Sequence, residues 1–295
     1  MYAGRLSIAV RFVRLGLARV NKGSLIFSVA CCFLSLWFGD AQAQRIKGSD
    51  TLLPLTQTLS EHYLSEHPGA GLVVTGGGSG VGLAALREKT TDIAMTSRRI
   101  RFGEKMKFAE SGQKIEEVAV ARDALAVVVH PSNPIDRLTR SQLEAIFRGK
   151  ITNWKEVGGP DRPIVVYSRE TSSGTYEFFR ESVLEGKNYM SGILSMPATG
   201  AVIQSVSQTP GAIGYIGLAY LTPRLKPLAV SYDGEHYVYP SVESASDGSY
   251  PVVRPLYYYY DAAQRASVEP FVDYVLSDEA QRIVKEKGFI PIVKK

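Results

Sequence analysis

From residue 45 onward the sequence changes its hydrophobic period every few residues, and that alternation constrains the fold more than any single motif. Residues 45–48 read as a strand, and 54–66 as a helix with Leu52, Leu55, Leu59 and Tyr63 on one stripe. Residues 72–75 read as a strand, 81–88 as a helix, 92–95 as a strand, and DALAVVVH at 123–130 as a long buried strand. Strand and helix in alternation predict an α/β chain with a mainly parallel sheet and helices on both faces. In such sheets ligands sit beyond the carboxyl ends of the strands. The Ser/Gly-rich turns of this chain all fall at that edge.

Pro131 and Pro134 mark a connection to a second α/β unit. Thr139 and Gln142 form a capping box ahead of Leu143, Ile146 and Phe147. A strand at 164–168, helices at 173–184 and 200–208, and a strand at 212–216 follow. Residues 225–250, rich in Ser, Asp, Gly and Tyr, read as loops and a hairpin, and 251–260 as a strand ending in Tyr257, Tyr258, Tyr259 and Tyr260. That tyrosine run fits packing at a strand edge better than a stacking platform. Two closing helices carry Val268, Phe271, Val272 and Val275, then Ile283 and Val284, with Gly288 as C-cap. There is no internal repeat.

Residues 1–43 read as an export signal: Arg5, Arg11, Arg14, Arg19 and Lys22 precede an apolar run at 24–39, and Ala41-Gln42-Ala43 fits the cleavage pattern. The run is shorter than the ~20 residues that span a bilayer. A lipoprotein reading through Cys31 fits poorly with the residues before it. Removing the signal takes five of the 34 basic residues and one of the 29 acidic, leaving 29 against 28, a net charge of +1. The pI near 9.0 of the whole chain is therefore no argument for a nucleic-acid partner. Both cysteines, Cys31 and Cys32, leave with the signal, so the mature chain has no thiol or disulfide chemistry. The remaining 252 residues suffice for one large domain or two modest ones.

Four turns hold the candidate chemistry. KGSDTL at 47–52 precedes a helix, where Asp50 is either a cap or a carboxylate facing a ligand. GGGSGVG at 76–82 is neither a P-loop nor a dinucleotide fingerprint. Its glycines permit close backbone approach to a ligand, with Ser79 at the helix start. DIAMTSRR at 92–99 brings Ser97 and Arg98 to the same edge, while Arg99 reads as a solvated charge. Ser173-Gly174-Thr175 sits at a strand-to-helix turn with Arg169 upstream, so backbone N–H groups, hydroxyls and a guanidinium can surround an oxyanion. Taken singly, that turn reads more readily as a capped helix beside a surface arginine, because Ser-Gly turns are common.

Enzyme constellations are wanting. His62, His67, His130 and His236 show no metal-ligand spacing, and there is no Gly-x-Ser-x-Gly elbow. No cofactor motif is present.

With GSDT at 48–51, GGGSG at 76–80, DIAMTSR at 92–98, LTRSQLEAIFRGKITNW at 138–154, SRETSSGT at 168–175, PGAIGYIGLAYL at 210–221 and GFIPIV at 288–293, the chain resembles the periplasmic phosphate-binding proteins, the receptors of phosphate ABC importers. The resemblance implies a two-lobed α/β periplasmic-binding-protein-like fold of type II, with the ligand cleft between lobes at 44–128 plus 224–295 and at 129–223. It implies a non-enzymatic, monomeric receptor in the periplasm, with inorganic phosphate and an inner-membrane permease as partners. Carried over position by position, its phosphate contacts fall on Asp50 and Thr51 with Ser49 beside them, on Ser79, on Ser97, and on Arg169, Ser173, Gly174 and Thr175, with Arg98 helping to bind or orient. One departure stands out. In the best-described form of the family the position of Ser97 is an aspartate that accepts a hydrogen bond from protonated phosphate, and the position of Asp50 is a threonine. The carboxylate has changed sides, and Asp50 is expected to supply the discrimination. The rivals are a receptor for sulfate or molybdate, a secreted phosphatase using Ser173 or Thr175, and a released binder with a signalling role.

Overall fold

The computed structural model describes residues 43–292. The expected export signal, apart from its last residue, lies outside them, and among the described residues no helix is long and apolar enough to cross a membrane.

Three parallel strands open the chain: β1 (Gln44–Gly48), β2 (Leu72–Thr75) and β3 (Ile93–Thr96). Helices α1 (Leu53–Glu66) and α2 (Ser79–Arg87) link them. Pro54 is tolerated in α1 because the first-turn N–H groups have no intrahelical partner, and Leu55, Leu59 and Tyr63 bury one stripe. After α3 (Phe102–Glu110) comes β4 (Ile115–Val129), the longest strand.

The second unit runs through β5 (Arg137–Thr139), α4 (Arg140–Phe147), β6 (Val165–Arg169), α5 (Gly174–Ser182), β7 (Leu194–Met196), α6 (Thr199–Gln208) and β8 (Ala212–Gly217). The expected capping box starts α4: Gln142 N–H donates to Thr139 Oγ1 at 3.1 Å, and Thr139 N–H donates to Gln142 Oε1 at 2.9 Å. Then follow β9 (Lys226–Pro227), β10 (Ala229–Ser231), α7 (Val242–Ser246), β11 (Val253–Asp261), α8 (Arg265–Val275) and α9 (Asp278–Glu286).

The main sheet has the order β2-β1-β3-β11-β4-β8-β6-β7, with β9 also on β4 and a separate β10–β5 pair. It is parallel at both ends and antiparallel in the middle, where β11 meets β3 and β4 and β4 meets β8. β4 belongs to both halves: residues 115–124 pair with β11 and residues 125–129 with β8. Two cores result. One gathers Ile46, Leu59, Ile93, Tyr258 and Phe271, and the other gathers Phe147, Trp154, Phe179 and Tyr215. Each fully buried side chain of this size contributes roughly 1.5–3 kcal/mol. Trp154, with no exposed surface, also donates its indole N–H to the Gly211 carbonyl at 2.9 Å.

Three sequence expectations change. β4 begins at Ile115 rather than 123, because Glu116 and Glu117 mask a pattern that ion pairs with Arg265 and Arg99 make compatible with a strand. Tyr257 to Tyr260 lie in the middle of the sheet, 0–4% exposed, and not at an edge. Segment 225–252, grouped by sequence with the closing helices, packs on the second core: β10 pairs with β5, and Leu228, Val230, Tyr250 and Val252 join Phe147 and Trp154.

Candidate functional site

The carboxyl ends of β1, β2, β3 and β6 deliver the four turns to one place. Asp50 follows β1, but α1 starts at Leu53 with Leu52 at its N-cap and no side-chain capping bond. The capping role is thereby excluded. The carboxylate instead accepts from Arg169 Nη2 at 2.6 Å and from the Gly77 N–H at 2.9 Å. Each oxygen keeps a lone pair for a further donor. Ser49 is buried beside it, and its N–H donates to the Met95 carbonyl at 2.9 Å.

Ser79, the first residue of α2, has no exposed surface; its Oγ accepts from the Ser97 N–H at 3.0 Å and lies 3.4 Å from Ser97 Oγ. From the second half, Ser173 caps α5 by accepting from the Thr175 N–H at 3.2 Å, and Thr175 Oγ1 sits 3.1 Å from Thr51 Oγ1. Gly174 closes the cluster, since a Cβ there would lie 2.3 Å from Ser79 Oγ and 2.6 Å from Ser97 Oγ. The amino ends of α2 and α5 therefore converge with five hydroxyls, and their backbone dipoles favour negative charge.

The glycines of the 76–80 turn serve a different contact from the one expected. Gly78, at φ 96°, would place a Cβ 2.8 Å from the Ser172 carbonyl oxygen, and the Gly80 N–H donates to that oxygen at 2.9 Å. They let two turns touch each other.

Arg169 is 2% exposed and fully held. Besides Asp50 it donates to the carbonyls of Met196 at 3.2 Å and Pro197 at 2.9 Å and to Thr199 Oγ1 at 3.1 Å. A guanidinium fixed on four sides is oriented before any ligand arrives.

Arg98 goes elsewhere. Its guanidinium donates to both oxygens of Glu104, at 2.8 and 2.7 Å, and to the Arg99 carbonyl at 2.9 Å. Burial disfavours the Glu104 charge, but the Arg98 hydrogen bonds and those from Arg101 outweigh it and bring the carboxyl down to about 2. Arg98 is thus a structural partner of α3, a correction to its expected role at the ligand.

Several residues of this centre were not legible as site residues. The Tyr220 hydroxyl donates to the Asp50 carbonyl at 2.6 Å and the Thr51 carbonyl at 3.2 Å, and burial, with Asp123 and Asp50 nearby, pushes its phenol pKa up. Tyr220 lies in an apolar run that carries no polar signal. Asp123 and Arg254 form an ion pair at 2.9 Å with side chains 0% and 1% exposed. Burial pushes the Asp123 carboxyl up and the Arg254 guanidinium down, each opposed by the charge of the other. A lone Asp in the apolar DALAVVVH strand was the available signal.

A cavity of about 460 Å³ opens beside the cluster, between Gly80 and Ser172, with Arg87, Arg101 and Lys107 on its wall. The hydroxyls themselves are tightly enclosed. Neither Ser173 nor Thr175 has a histidine, lysine or carboxylate hydrogen-bonded to its hydroxyl among the described residues, and no group of acidic, His or Cys side chains there could hold a metal. Oriented donors, one cation and one carboxylate suit recognition of a tetrahedral oxyanion that keeps a proton.

The pattern of the PBP superfamily domain matches residues 39–279. The phosphate-binding protein PstS of Pseudomonas aeruginosa is 33% identical, over 84% of this chain and 82% of its own. A crystal structure from Clostridium perfringens of a substrate-binding protein with bound phosphate superposes with a TM-score of 0.77 at 32% identity, covering 85% of this chain and 100% of that one. An ABC-type phosphate transport receptor from Vibrio cholerae superposes at 0.69 with 29% identity, covering 84% and 100%.

Proposed function

The chain belongs to the phosphate-binding proteins of the PBP superfamily, and from that premise we propose that it is a periplasmic receptor which captures inorganic phosphate and hands it to an inner-membrane ABC permease. The observation that carries this reading is the Asp50–Arg169 contact at 2.6 Å, set among Thr51, Ser79, Ser97, Ser173 and Thr175. Phosphate at neutral pH offers both bare oxygens for the donors and a proton for Asp50. Sulfate offers only bare oxygens, so a half-buried carboxylate acceptor repels it.

The ligand lies, in this reading, between two lobes, one built on each core. We place the lobe boundaries where β4 changes partner from β11 to β8, with 44–124 and 253–292 in the first lobe and 125–252 in the second. β4 and the entry to β11 are then the two crossings, and closure is a hinge movement about them. We assign no catalytic step. The residues that line the ligand site in this reading are Asp50, Thr51, Ser79, Ser97, Arg169, Ser173, Gly174 and Thr175, with Ser49 buried beside them.

Calorimetric titration of the mature protein with phosphate and with sulfate tests this. Tight phosphate binding with sulfate rejected is expected. Heat with sulfate or molybdate and none with phosphate would overturn the ligand, and turnover of a chromogenic phosphate ester would overturn the non-enzymatic assignment.

A further inference from the structure

Beneath the hydroxyl cluster lies a second aspartate–arginine pair that no phosphate contact accounts for. Arg254 opens β11 and Asp123 lies in β4, on the two strands that carry the chain between the cores. Arg254 Nη2 and Nε lie 2.9 and 3.3 Å from Asp123 Oδ2, and the guanidinium rests 5.4 Å from the Phe178 ring centroid. Nη2 also lies 3.4 Å from Thr51 Oγ1. Nη1 is buried without a hydrogen-bond partner.

Hydrogen-bond direction follows from these contacts. A guanidinium can only donate, whereas a hydroxyl can donate or accept. Thr51 Oγ1 therefore accepts from Arg254, and its own proton turns to its other neighbour, Thr175 Oγ1 at 3.1 Å. Thr175 in turn is left with its proton free for an oxygen outside the chain. Without the guanidinium either threonine could rotate and present a lone pair.

Resting on the phosphate reading above, we propose that Arg254, held by Asp123, is a positioning residue of the oxyanion site that fixes a donor chain in which Thr51 gives its proton to Thr175 and Thr175 presents its own to the oxyanion. Arg254 does not touch the ligand in this account; it acts through Thr51. The two aspartate–arginine pairs thus divide the work, Asp50–Arg169 facing the ligand and Asp123–Arg254 orienting the hydroxyls behind it.

The test is a double-mutant cycle on phosphate affinity, measured calorimetrically on the full mature chain. Arg254→Lys keeps a charge for Asp123 but cannot reach two partners with one fork. It is expected to weaken phosphate binding roughly tenfold with Thr51 present and by less than about twofold in a Thr51→Val background. The Asp123→Asn, Arg254→Gln double variant removes both buried charges together and is read in the same way, so a folding defect of the lysine variant does not end the test. Equal losses with and without the Thr51 hydroxyl, or no loss in either background, would overturn the proposal. Absence of phosphate binding by the unaltered protein is a different result, and removes the underlying function instead.

Discussion

Asp50 and Arg169 meet at 2.6 Å although 119 positions separate them, one following β1 and the other ending β6. The contact ties the two halves of the molecule at the point where their hydroxyl-bearing turns converge. It places an acceptor next to a guanidinium at those turns, which complements the charge pattern of a partly protonated oxyanion.

Asp50→Asn should therefore change selectivity more than fold. An amide can turn a donor toward a bare oxygen, so sulfate should gain affinity while phosphate loses it. Unpairing a part-buried charged hydrogen bond shifts such balances by roughly 1–3 kcal/mol, equivalent to about 5- to 150-fold in the phosphate-to-sulfate ratio. Competition titration across pH 5–8 reads this directly, and an unchanged ratio would remove Asp50 from ligand discrimination.

Arg169→Lys should fail despite keeping the charge. Four acceptors surround the guanidinium, on Asp50, Met196, Pro197 and Thr199, and an ammonium has three donors on a flexible stem. Phosphate affinity should fall by on the order of 100-fold, with the thermal midpoint lowered because backbone carbonyls lose their donor. Titration with a parallel melt separates the two effects.

Much of this centre could be read from sequence because its turns use residues with one strong local preference. Ser173 as a cap and Thr139 with Gln142 as a capping box act within four residues of chain, and Ser79 stands at a helix start as its Gly-Ser-Gly context indicates. Asp50 was ambiguous because a Gly-Ser-Asp-Thr run fits a cap equally well, and only the partner 119 positions away decides. The sequence around Arg98 is ambiguous for the same reason. Its neighbours Thr96 and Ser97 mark a ligand edge, while its carboxylate partner lies on a polar helix in which only Phe108 is buried, so no stripe announces it. The packing of segment 225–252 on the second core is not announced by its sequence, because short strands such as β9 and β10 carry too few residues for a period to show.

Acid should weaken the fold partly through Glu104. Its ordinary value of 4.5 is brought down to about 2 in the folded protein, so the unfolded chain takes up this proton first as pH falls. The stabilisation is complete above about pH 4.5 and fades as pH drops through the folded value. With solvent screening at this half-buried carboxylate, the stabilisation amounts to roughly 1–2 kcal/mol. Glu104→Gln should be less stable than the unaltered protein by about that amount at pH 7, and the two should converge toward pH 2–3 in urea titrations. A gap that stays constant with pH would detach Glu104 from acid sensitivity.

Gly174→Ala tests whether the converged turns are the binding state. The added methyl would lie 2.3 Å from Ser79 Oγ and 2.6 Å from Ser97 Oγ, far inside van der Waals contact, and both oxygens belong to the opposite half of the molecule. At the start of α5 alanine is otherwise a good residue, with a propensity advantage of about 1 kcal/mol over glycine. The two effects have opposite signs in two different measurements. Phosphate affinity should collapse, because the turns can no longer close on each other, while thermal stability without ligand should hold or rise. Small-angle scattering should then show the variant remaining expanded in millimolar phosphate where the unaltered protein contracts. Retained affinity with a contracted envelope would mean that phosphate is bound without bringing Gly174 against Ser79 and Ser97.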